Sequence, residues 1–180
     1  MKLHLGSGKR SLYGFSHVDV EIFPHIDFVT SIDDLSVFGD ETVNEIYCSH
    51  ALEYFDRSSV NSTLDEWYRV LKKGAKAYIT VPNFDSLLEV YKRTKELKSI
   101  IGPLFGRWEN TGATLYHKTV WNSQDLTEAL KNSKFKDISE FNPVNYLEEI
   151  DPDYDDYSLA YFPHMDRGGI QISLALVATK

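Results

Sequence analysis

The sequence has little cysteine, few basic residues relative to acidic ones, and no long apolar run. Cys48 is the only cysteine, which excludes an intrachain disulfide and a cysteine-rich metal site. The chain has 19 Lys and Arg residues against 27 Asp and Glu residues, a formal net charge of -8. We therefore expect no nucleic-acid partner, because binding to nucleic acid relies on clustered Lys and Arg side chains. No apolar stretch approaches the ~18 residues of a membrane span, and the opening lacks a signal-peptide pattern. We therefore expect a cytoplasmic protein with no membrane partner.

What the chain does contain is the composition of a soluble globular protein, with 42% apolar and 26% charged residues. A chain of 180 residues is long enough to bury one core, so we expect a single domain over residues 1–180. The acidic run "DPDYDD" lacks the glycine and glutamate of a calcium-binding loop, and we predict no metal site. The sequence leaves the oligomeric state open.

Hydrophobic periodicity divides the chain into strands and helices. Four short strand-like segments fill the first third: "KLHL", "SHVDV", "IDFVTSI" and "VNEIYCS". Helical spacing predicts helices over 58–74, 85–98 and 123–132, with the buried strand "AKAYITVP" after the first of them. This alternation of strands and helices predicts an α/β fold with parallel pairing. Residues 102–121 and 142–169 show no period, and we predict two irregular lid segments there.

The stretch "LHLGSGKRSLYGFSHVDVE" carries the first functional signal. Gly6, Ser7 and Gly8 directly follow a strand-like segment, where glycines let backbone N–H groups approach a ligand. Asp19 ends the next strand, where a carboxylate can accept both hydroxyls of a ribose, and Glu21 is the alternative acid. No ordinary helix fits between the glycines and Asp19, which disfavours a pyrophosphate held by a helix dipole. A plain tight turn and a solvated acid are the structural alternatives.

Five motifs in a fixed order extend this signal along the chain: "LHLGSG", "GFSHVDVE", "DETVNEIYCSHALEYF", "LDEWYRVLKKGAKAYITVPN" and "YHKTVWNSQDLTEALKNSKF". Over about residues 1–140 they resemble the class I S-adenosylmethionine-dependent methyltransferases, especially small ones with an abbreviated first helix. The closing "ISLALVATK" resembles their last, antiparallel strand. The resemblance implies a Rossmann-like fold, a mostly parallel seven-stranded sheet of order 3-2-1-4-5-7-6 flanked by helices. It also implies S-adenosyl-L-methionine as the cofactor and methyl transfer as the activity.

The resemblance assigns the cofactor-binding residues position by position: Gly6, Ser7, Gly8, Asp19, Ile32, Asp33, Ser49 and His50. It implies that the glycines and the serine between them lie beside the methionine part of the cofactor, and that Asp19 binds the ribose. The next pair is implied to flank the adenine, with Ser31 and Asp34 as alternatives because the register of that segment is open. The last pair is implied to face the methyl donor.

His50 is the candidate catalytic base, because it follows the carboxyl end of a strand, where ligands bind in such sheets. Its alternative role is to contact the cofactor or orient the backbone without proton transfer. A base is optional in methyl transfer, since proximity and alignment alone lower much of the barrier. His117 and His164, in the lid segments, are second-line candidates, with structural or surface roles as their alternatives.

The expected acceptor is a small or sugar-like molecule. Five aromatic residues in the lid segments are predicted to form either its pocket or the core of the lid itself: Trp108, Tyr116, Trp121, Tyr157 and Tyr161. The truncated first helix and a missing acidic residue in the first strand favour a rival interpretation, and the sequence departs from the family's pattern at two places. His4 stands where an acidic residue is usual, and Lys9 or Arg10 stands where a third glycine is usual. The rival is a non-catalytic binding or interaction protein with the same fold.

Overall fold

The computed structural model describes residues 1–110, 113–164 and 167–180, and a seven-stranded sheet forms its centre. The strands are β1 (Lys2–Leu5), β2 (Ser16–Asp19), β3 (Phe28–Val29), β4 (Val43–Ser49), β5 (Leu71–Pro82), β6 (Trp108–Asn110), β7 (Ala113–Leu115), β8 (Lys136–Glu140), β9 (Tyr161–Phe162), β10 (Ile170–Gln171) and β11 (Ser173–Thr179). The main sheet has the order β3-β2-β1-β4-β5-β11-β8. Its first five strands pair in parallel, and β11 runs antiparallel to both of its neighbours. Both the predicted fold class and the predicted strand order are confirmed.

The helices lie on both faces of this sheet. They are α1 (Val60–Val70), α2 (Phe84–Thr94), α3 (Ile101–Phe105), α4 (Ser123–Asn132) and α5 (Pro143–Ile150). Ile46 and Cys48 of β4 point into a large core shared with α1 and α4, whereas Tyr47 between them points to a smaller core. Leu147 of α5 and Leu159 complete that second core. In the described ranges, no helix is long and apolar enough to cross a membrane.

Three predicted boundaries differ in the structure. The first helix ends at Val70, because pairing with β4 begins at the next residue and converts the chain to a strand. Gly74 is therefore not a helix cap: it lies in an irregular part of β5 with φ of +75°, and its amide donates to the Lys180 carbonyl. The second helix ends at Thr94, where Lys95 adopts the left-handed conformation. The predicted third strand is reduced to the two residues of β3.

Both lid segments are more regular than predicted. The segment 102–121 contains most of α3 and an antiparallel pair formed by β6 and β7. The segment 142–169 contains α5 and β9, which pairs with β10. The Asn142 side chain accepts hydrogen bonds from the two amides of the first turn of α5, and Pro143 opens that helix. The sequence therefore contained a start signal for α5, while strands of two or three residues are too short to produce a period.

Candidate functional site

A cavity of about 970 Å³ lies at the carboxyl ends of β1, β2 and β4. Its lining includes every residue that the resemblance assigned: Gly6, Ser7, Gly8, Asp19, Ile32, Asp33, Ser49 and His50. Side chains from the lid segments cover the other side: Trp108, Tyr116, His117, Tyr157, Tyr161 and His164. The volume is at the upper end of the roughly 300–1,000 Å³ of small-molecule sites. The structure thus brings the predicted residues together around one cavity, and their binding of a cofactor stays a prediction.

The turn formed by residues 6–8, the glycine turn, is fixed by sterics and by Asp19. Gly6 has φ of +66°, and a Cβ there would lie 2.4 Å from the Cβ of Ala51, so a side chain is excluded. The Gly8 amide donates to Asp19 Oδ2 at 2.8 Å, and the Glu21 amide donates to Asp19 Oδ1 at 2.9 Å. Asp19 therefore ties the end of β2 to the glycine turn while it lines the cavity.

Two polar atoms beside this turn lack a hydrogen-bond partner among the described residues. Ser7 Oγ and His4 Nδ1 are buried and make no hydrogen bond within the described part of the chain, and both residues line the cavity. Such atoms are few in native proteins, and a bound ligand is one explanation for them. Burial lowers the pKa of His4 to about 3, so its ring is neutral at pH 7. This end of the cavity fits a ligand that carries polar groups.

The β6–β7 hairpin covers the glycine turn through Trp108. The Cη2 atom of this indole lies 3.3 Å from the position that a Cβ on Gly8 would take. The indole Nε1–H donates to Glu21 Oε1 at 2.8 Å. Glu21, the alternative ribose acid, is thus engaged by the lid, whereas Asp19 lines the cavity.

The residues after β3 separate the predicted adenine candidates. Ser31, Ile32 and Asp33 line the cavity, whereas Asp34 turns to the amide of Ser36. The Ser31 hydroxyl donates to the carboxylate of Asp33. The backbone carbonyl of Ile32 accepts the indole hydrogen of a core tryptophan in α1, which fixes this segment against the body of the fold. The geometry therefore favours the pair assigned from the resemblance, with Ser31 beside it.

A buried carboxyl group, that of Glu53, lies between two histidines that line the cavity. Glu53 Oε1 lies 3.6 Å from His50 Nδ1 and 3.7 Å from His117 Nε2, distances longer than hydrogen bonds. Both oxygens of Glu53 are buried and make no hydrogen bond to the described residues. Burial raises the pKa of Glu53 to about 8 and lowers the pKa of His50 to about 3. The three side chains are therefore neutral near pH 7, since burial lowers the pKa of His117 as well.

The geometry of His50 bears on its predicted role as a base. His50 Nε2 lies 2.7 Å from Ser173 Oγ, and its Nδ1 faces Glu53, so both ring nitrogens have protein neighbours. The residue also has φ of +50°, which is uncommon for a side chain other than glycine. These contacts favour the alternative role, in which His50 shapes the site without transferring a proton.

The lid anchors to the body at the same place. The backbone amides of Lys118 and Thr119 donate to the carbonyl of Glu53, and the Thr119 hydroxyl donates to the Phe55 carbonyl at 2.6 Å. The His117 ring packs edge-on against Tyr54, and it fills the space that a side chain on Gly106 would need. Within this arrangement His117 is part of the lid anchor as well as of the cavity wall.

Sequence reasoning missed or misplaced several residues of the site. Arg10 lines the cavity, although the sequence marked it only as a departure from the family's pattern. Tyr54 and Ala51 line it too, and their place in the motif "SHALEYF" was the available signal. Trp121 was expected in the pocket or the lid core; it is 6% exposed, belongs to the main core and pairs with Asn83 at the start of α2.

Comparison with known proteins found one domain model that matches part of the chain. The family description "Methyltransferase domain" matches residues 16–79, which contain Asp19, the segment after β3, and His50. A search of curated proteins found no significant match to the sequence. The domain match over residues 16–79 includes most of the cavity-lining residues that lie outside the two lid segments.

Solved structures share the whole fold at low sequence identity. An S-adenosylmethionine-dependent methyltransferase from Thermotoga maritima is 18% identical, with a TM-score of 0.57 over 99% of this chain and 81% of that one. A Burkholderia thailandensis 1,6-didemethyltoxoflavin-N1-methyltransferase is 14% identical, with a TM-score of 0.58 over 99% and 70%. A Methanosarcina mazei S-adenosylmethionine-dependent methyltransferase is 16% identical, with a TM-score of 0.58 over 99% and 91%. The domain match and the fold agree with the recognition made from the motifs: residues 16–79 match a methyltransferase domain, and the chain has the fold of S-adenosylmethionine-dependent methyltransferases.

Proposed function

We propose that the protein transfers a methyl group from S-adenosylmethionine to a small or sugar-like acceptor in this cavity. The methyltransferase domain and the fold support the enzyme class and the cofactor. The observation that carries the proposal is the glycine turn, which is locked to Asp19 and has unpartnered polar atoms at the cavity beside it. Such a turn without a following helix suits a cofactor that lacks phosphate.

The residues of this chain that would hold the cofactor follow the carboxyl ends of the parallel strands. The backbone of residues 6–8 and the Ser7 hydroxyl are available to its amino-acid end, and Asp19 to the ribose hydroxyls. Ile32 and Asp33 are available to the adenine. When bound, S-adenosylmethionine supplies a methyl group on a positively charged sulfur.

The contribution of the protein to catalysis is chiefly position. Holding donor and acceptor in line can contribute about 7–11 kcal/mol to lowering a barrier. The lid side chains, among them Tyr157 and His117, form one wall of the cavity. His50 is enclosed between Ser173 and Glu53, and its proposed role is to shape the donor end of the site.

A small acceptor is supported by the lining of the site and by one relative. Aromatic lid residues, among them Trp108 and Tyr161, line the cavity, as is usual in small-molecule sites. The Burkholderia thailandensis structure contains 1,6-didemethyltoxoflavin and S-adenosylhomocysteine. The formal net charge of -8 disfavours nucleic-acid acceptors. A cytoplasmic location and a single domain over residues 1–180 stay predictions.

The rival is a non-catalytic protein that keeps the fold. Its support is the neutral His4 in place of the usual acid and the enclosure of His50. A cofactor site and an acceptor site are separable, so binding and turnover must be measured separately.

Isothermal titration calorimetry with S-adenosylmethionine and S-adenosylhomocysteine tests the cofactor site. We expect one ligand per chain, and we expect Asp19→Ala to weaken binding by about 1.5–3 kcal/mol, since it removes hydrogen bonds to a charged group. Asp65→Ala, which removes an exposed carboxylate on α1, is the matched control and should leave affinity unchanged. No heat from either ligand at high protein concentration would contradict the proposal.

Turnover is then tested by screening small hydroxylated and amine compounds for S-adenosylhomocysteine release. A signal that requires both the acceptor and the wild-type Asp19 supports the enzyme. Cofactor binding without turnover on any acceptor favours the rival.

A further inference from the structure

The cavity has a distinct polar end beside the glycine turn. Ser7 Oγ and His4 Nδ1 are buried there without partners among the described residues. His4 Nε2 lies 3.5 Å from the hydroxyl of Tyr154, at the outer limit of a hydrogen bond, so the ring is positioned from that side. A neutral hydroxyl and a neutral imidazole can bind an ionic group, but neither supplies charge.

Arg10 supplies a positive charge at this end. Its side chain lines the same cavity as His4 and His50, and its charge contributes to the lowered pKa of both histidines. Arg10 is therefore a cationic side chain in the cavity wall that contains the polar group beside the glycine turn.

The segment after α5 fixes the guanidinium of Arg10 in place. Arg10 Nε donates to the Asp155 carbonyl at 2.7 Å, and the guanidinium lies over the Tyr157 ring, 4.9 Å from its centroid. In the described part of the chain, its two terminal nitrogens make no hydrogen bond and no ion pair with a carboxylate. A guanidinium held by Nε and by an aromatic face presents its terminal N–H groups as a preformed fork for an anion.

The glycine turn adds a second requirement on the ligand. Gly8 has φ of +56°, and its amide already donates to Asp19. This amide is therefore not available to an anionic ligand, and the carboxylate of Asp19 lies on the proposed ribose side of the turn. His4, which stands where the family's acidic residue is usual, is neutral and cannot balance the charge of an anion. The positive charge that can do so beside the glycine turn is that of Arg10. The amino-acid end of S-adenosylmethionine carries one carboxylate and one ammonium group.

We infer that Arg10 binds the α-carboxylate of the cofactor's methionine part, with Ser7 and His4 as its neutral hydrogen-bonding partners. This inference rests on the proposed function. It assigns a role to one of the two residues, Lys9 or Arg10, that stand where the family's third glycine is usual, and it makes the segment after α5 part of the cofactor site through the anchoring of Arg10.

Two ligands that differ only at the amino-acid end test the inference. S-adenosylhomocysteine carries the amino-acid tail, whereas 5′-methylthioadenosine has the nucleoside and the sulfur without it. Both are titrated by calorimetry into the wild type, Arg10→Met, and the matched control Lys9→Met, which removes an exposed positive charge one residue away. Thermal unfolding of each ligand-free protein shows whether the segment after α5 still packs.

We expect Arg10→Met to weaken S-adenosylhomocysteine binding about tenfold to a hundredfold, the loss of charged hydrogen bonds, and to leave 5′-methylthioadenosine within about twofold. Lys9→Met should change neither affinity. An unchanged affinity for S-adenosylhomocysteine in Arg10→Met overturns the inference, and an equal loss for both ligands overturns it by showing that Arg10 only anchors the fold. If the wild type binds neither ligand, the proposed function itself fails.

Discussion

Two neighbouring groups of buried polar side chains, one at the glycine turn and one around His50, have different surroundings. At the glycine turn, Ser7 and His4 have buried atoms that line the cavity and lack protein partners. Around His50, the ring nitrogens face Ser173 and Glu53, and burial keeps Glu53 neutral although its oxygens make no hydrogen bond to the described residues. The first group leaves hydrogen-bonding capacity for a ligand, whereas the His50 ring is enclosed by protein groups. The difference indicates that polar contacts to a ligand are concentrated at the glycine turn, and that the His50 cluster lies where the lid is held to the body.

The largest expected effect is at the glycine turn itself. Gly6→Ala places a Cβ 2.4 Å from that of Ala51 at a residue with φ of +66°, and we expect it to lower the free energy of unfolding by roughly 2–5 kcal/mol. Gly14→Ala is the matched control, since Gly14 has φ of +79° and no atom within 4 Å of the added Cβ. It should cost only about 1–2 kcal/mol of backbone strain. Urea unfolding measures both, and equal losses would contradict the close-packed turn.

For the cluster of His50, Glu53 and His117, we predict a loss of folding stability at high pH. The pKa of Glu53 is raised from 4.5 to about 8 in the folded state, so the folded protein holds a proton that the unfolded chain has released. Stability therefore falls as pH rises from about 4.5 to 8, and Glu53→Gln should remove about 1–3 kcal/mol of that fall. The exposed Glu149→Gln is the control. If the free energies of unfolding of wild type and Glu53→Gln differ by the same amount at pH 4 and at pH 9, Glu53 does not have the raised pKa of a buried carboxyl group.

In the same cluster, His50 predicts a loss of folding stability at low pH, the opposite pH dependence to that of Glu53. The pKa of His50 is lowered from 6.5 to about 3, so its contribution to stability is present above 6.5 and is lost as pH falls toward 3. His50→Asn keeps a residue that tolerates positive φ, and it should reduce this acid sensitivity by about 1–2 kcal/mol between pH 6.5 and 4.5. The control is His164→Asn, at an exposed position of the lid. Acid sensitivity unchanged in His50→Asn would count against the enclosure of this ring.

The smallest expected effect concerns the hairpin that joins the lid to the glycine turn. Trp108→Phe keeps an aromatic ring over Gly8 but removes the indole hydrogen bond to Glu21, worth about 0.5–1.5 kcal/mol. Hydrogen exchange of the hairpin amides should accelerate by a corresponding factor, while exchange in the main sheet stays unchanged. Tyr116→Phe, a half-exposed change in the same lid segment, is the control. Equal exchange rates in the two variants would show that the Trp108–Glu21 hydrogen bond does not stabilise the hairpin.

The sheet and the glycine turn were predictable because their signals are local. Strand-like segments bounded by turn residues and the helical spacing in α1 and α4 predicted the α/β class, and the resemblance carried by the five motifs implied the strand order. Gly6 and Asp19 could be placed because a turn and a strand end are each specified by a few adjacent residues. In these cases local preference and tertiary structure agree.

The remaining features depend on contacts between residues far apart in the chain. The contact of His50 with Ser173 and that of Arg10 with Asp155 each join residues more than a hundred positions apart. Neither residue type nor spacing encodes such a pairing in a single sequence. The lid hairpins were missed because two or three residues per strand give no period, and Gly74 was misread because strand pairing overrides a helix-cap signal.

A crystal structure with S-adenosylhomocysteine tests the central claim most directly. The account predicts the ribose hydroxyls at the Asp19 carboxylate and the amino-acid end at residues 6–8, with the carboxylate facing Arg10. A ligand that binds elsewhere, or a nucleoside that lies in this cavity away from Asp19, would contradict it.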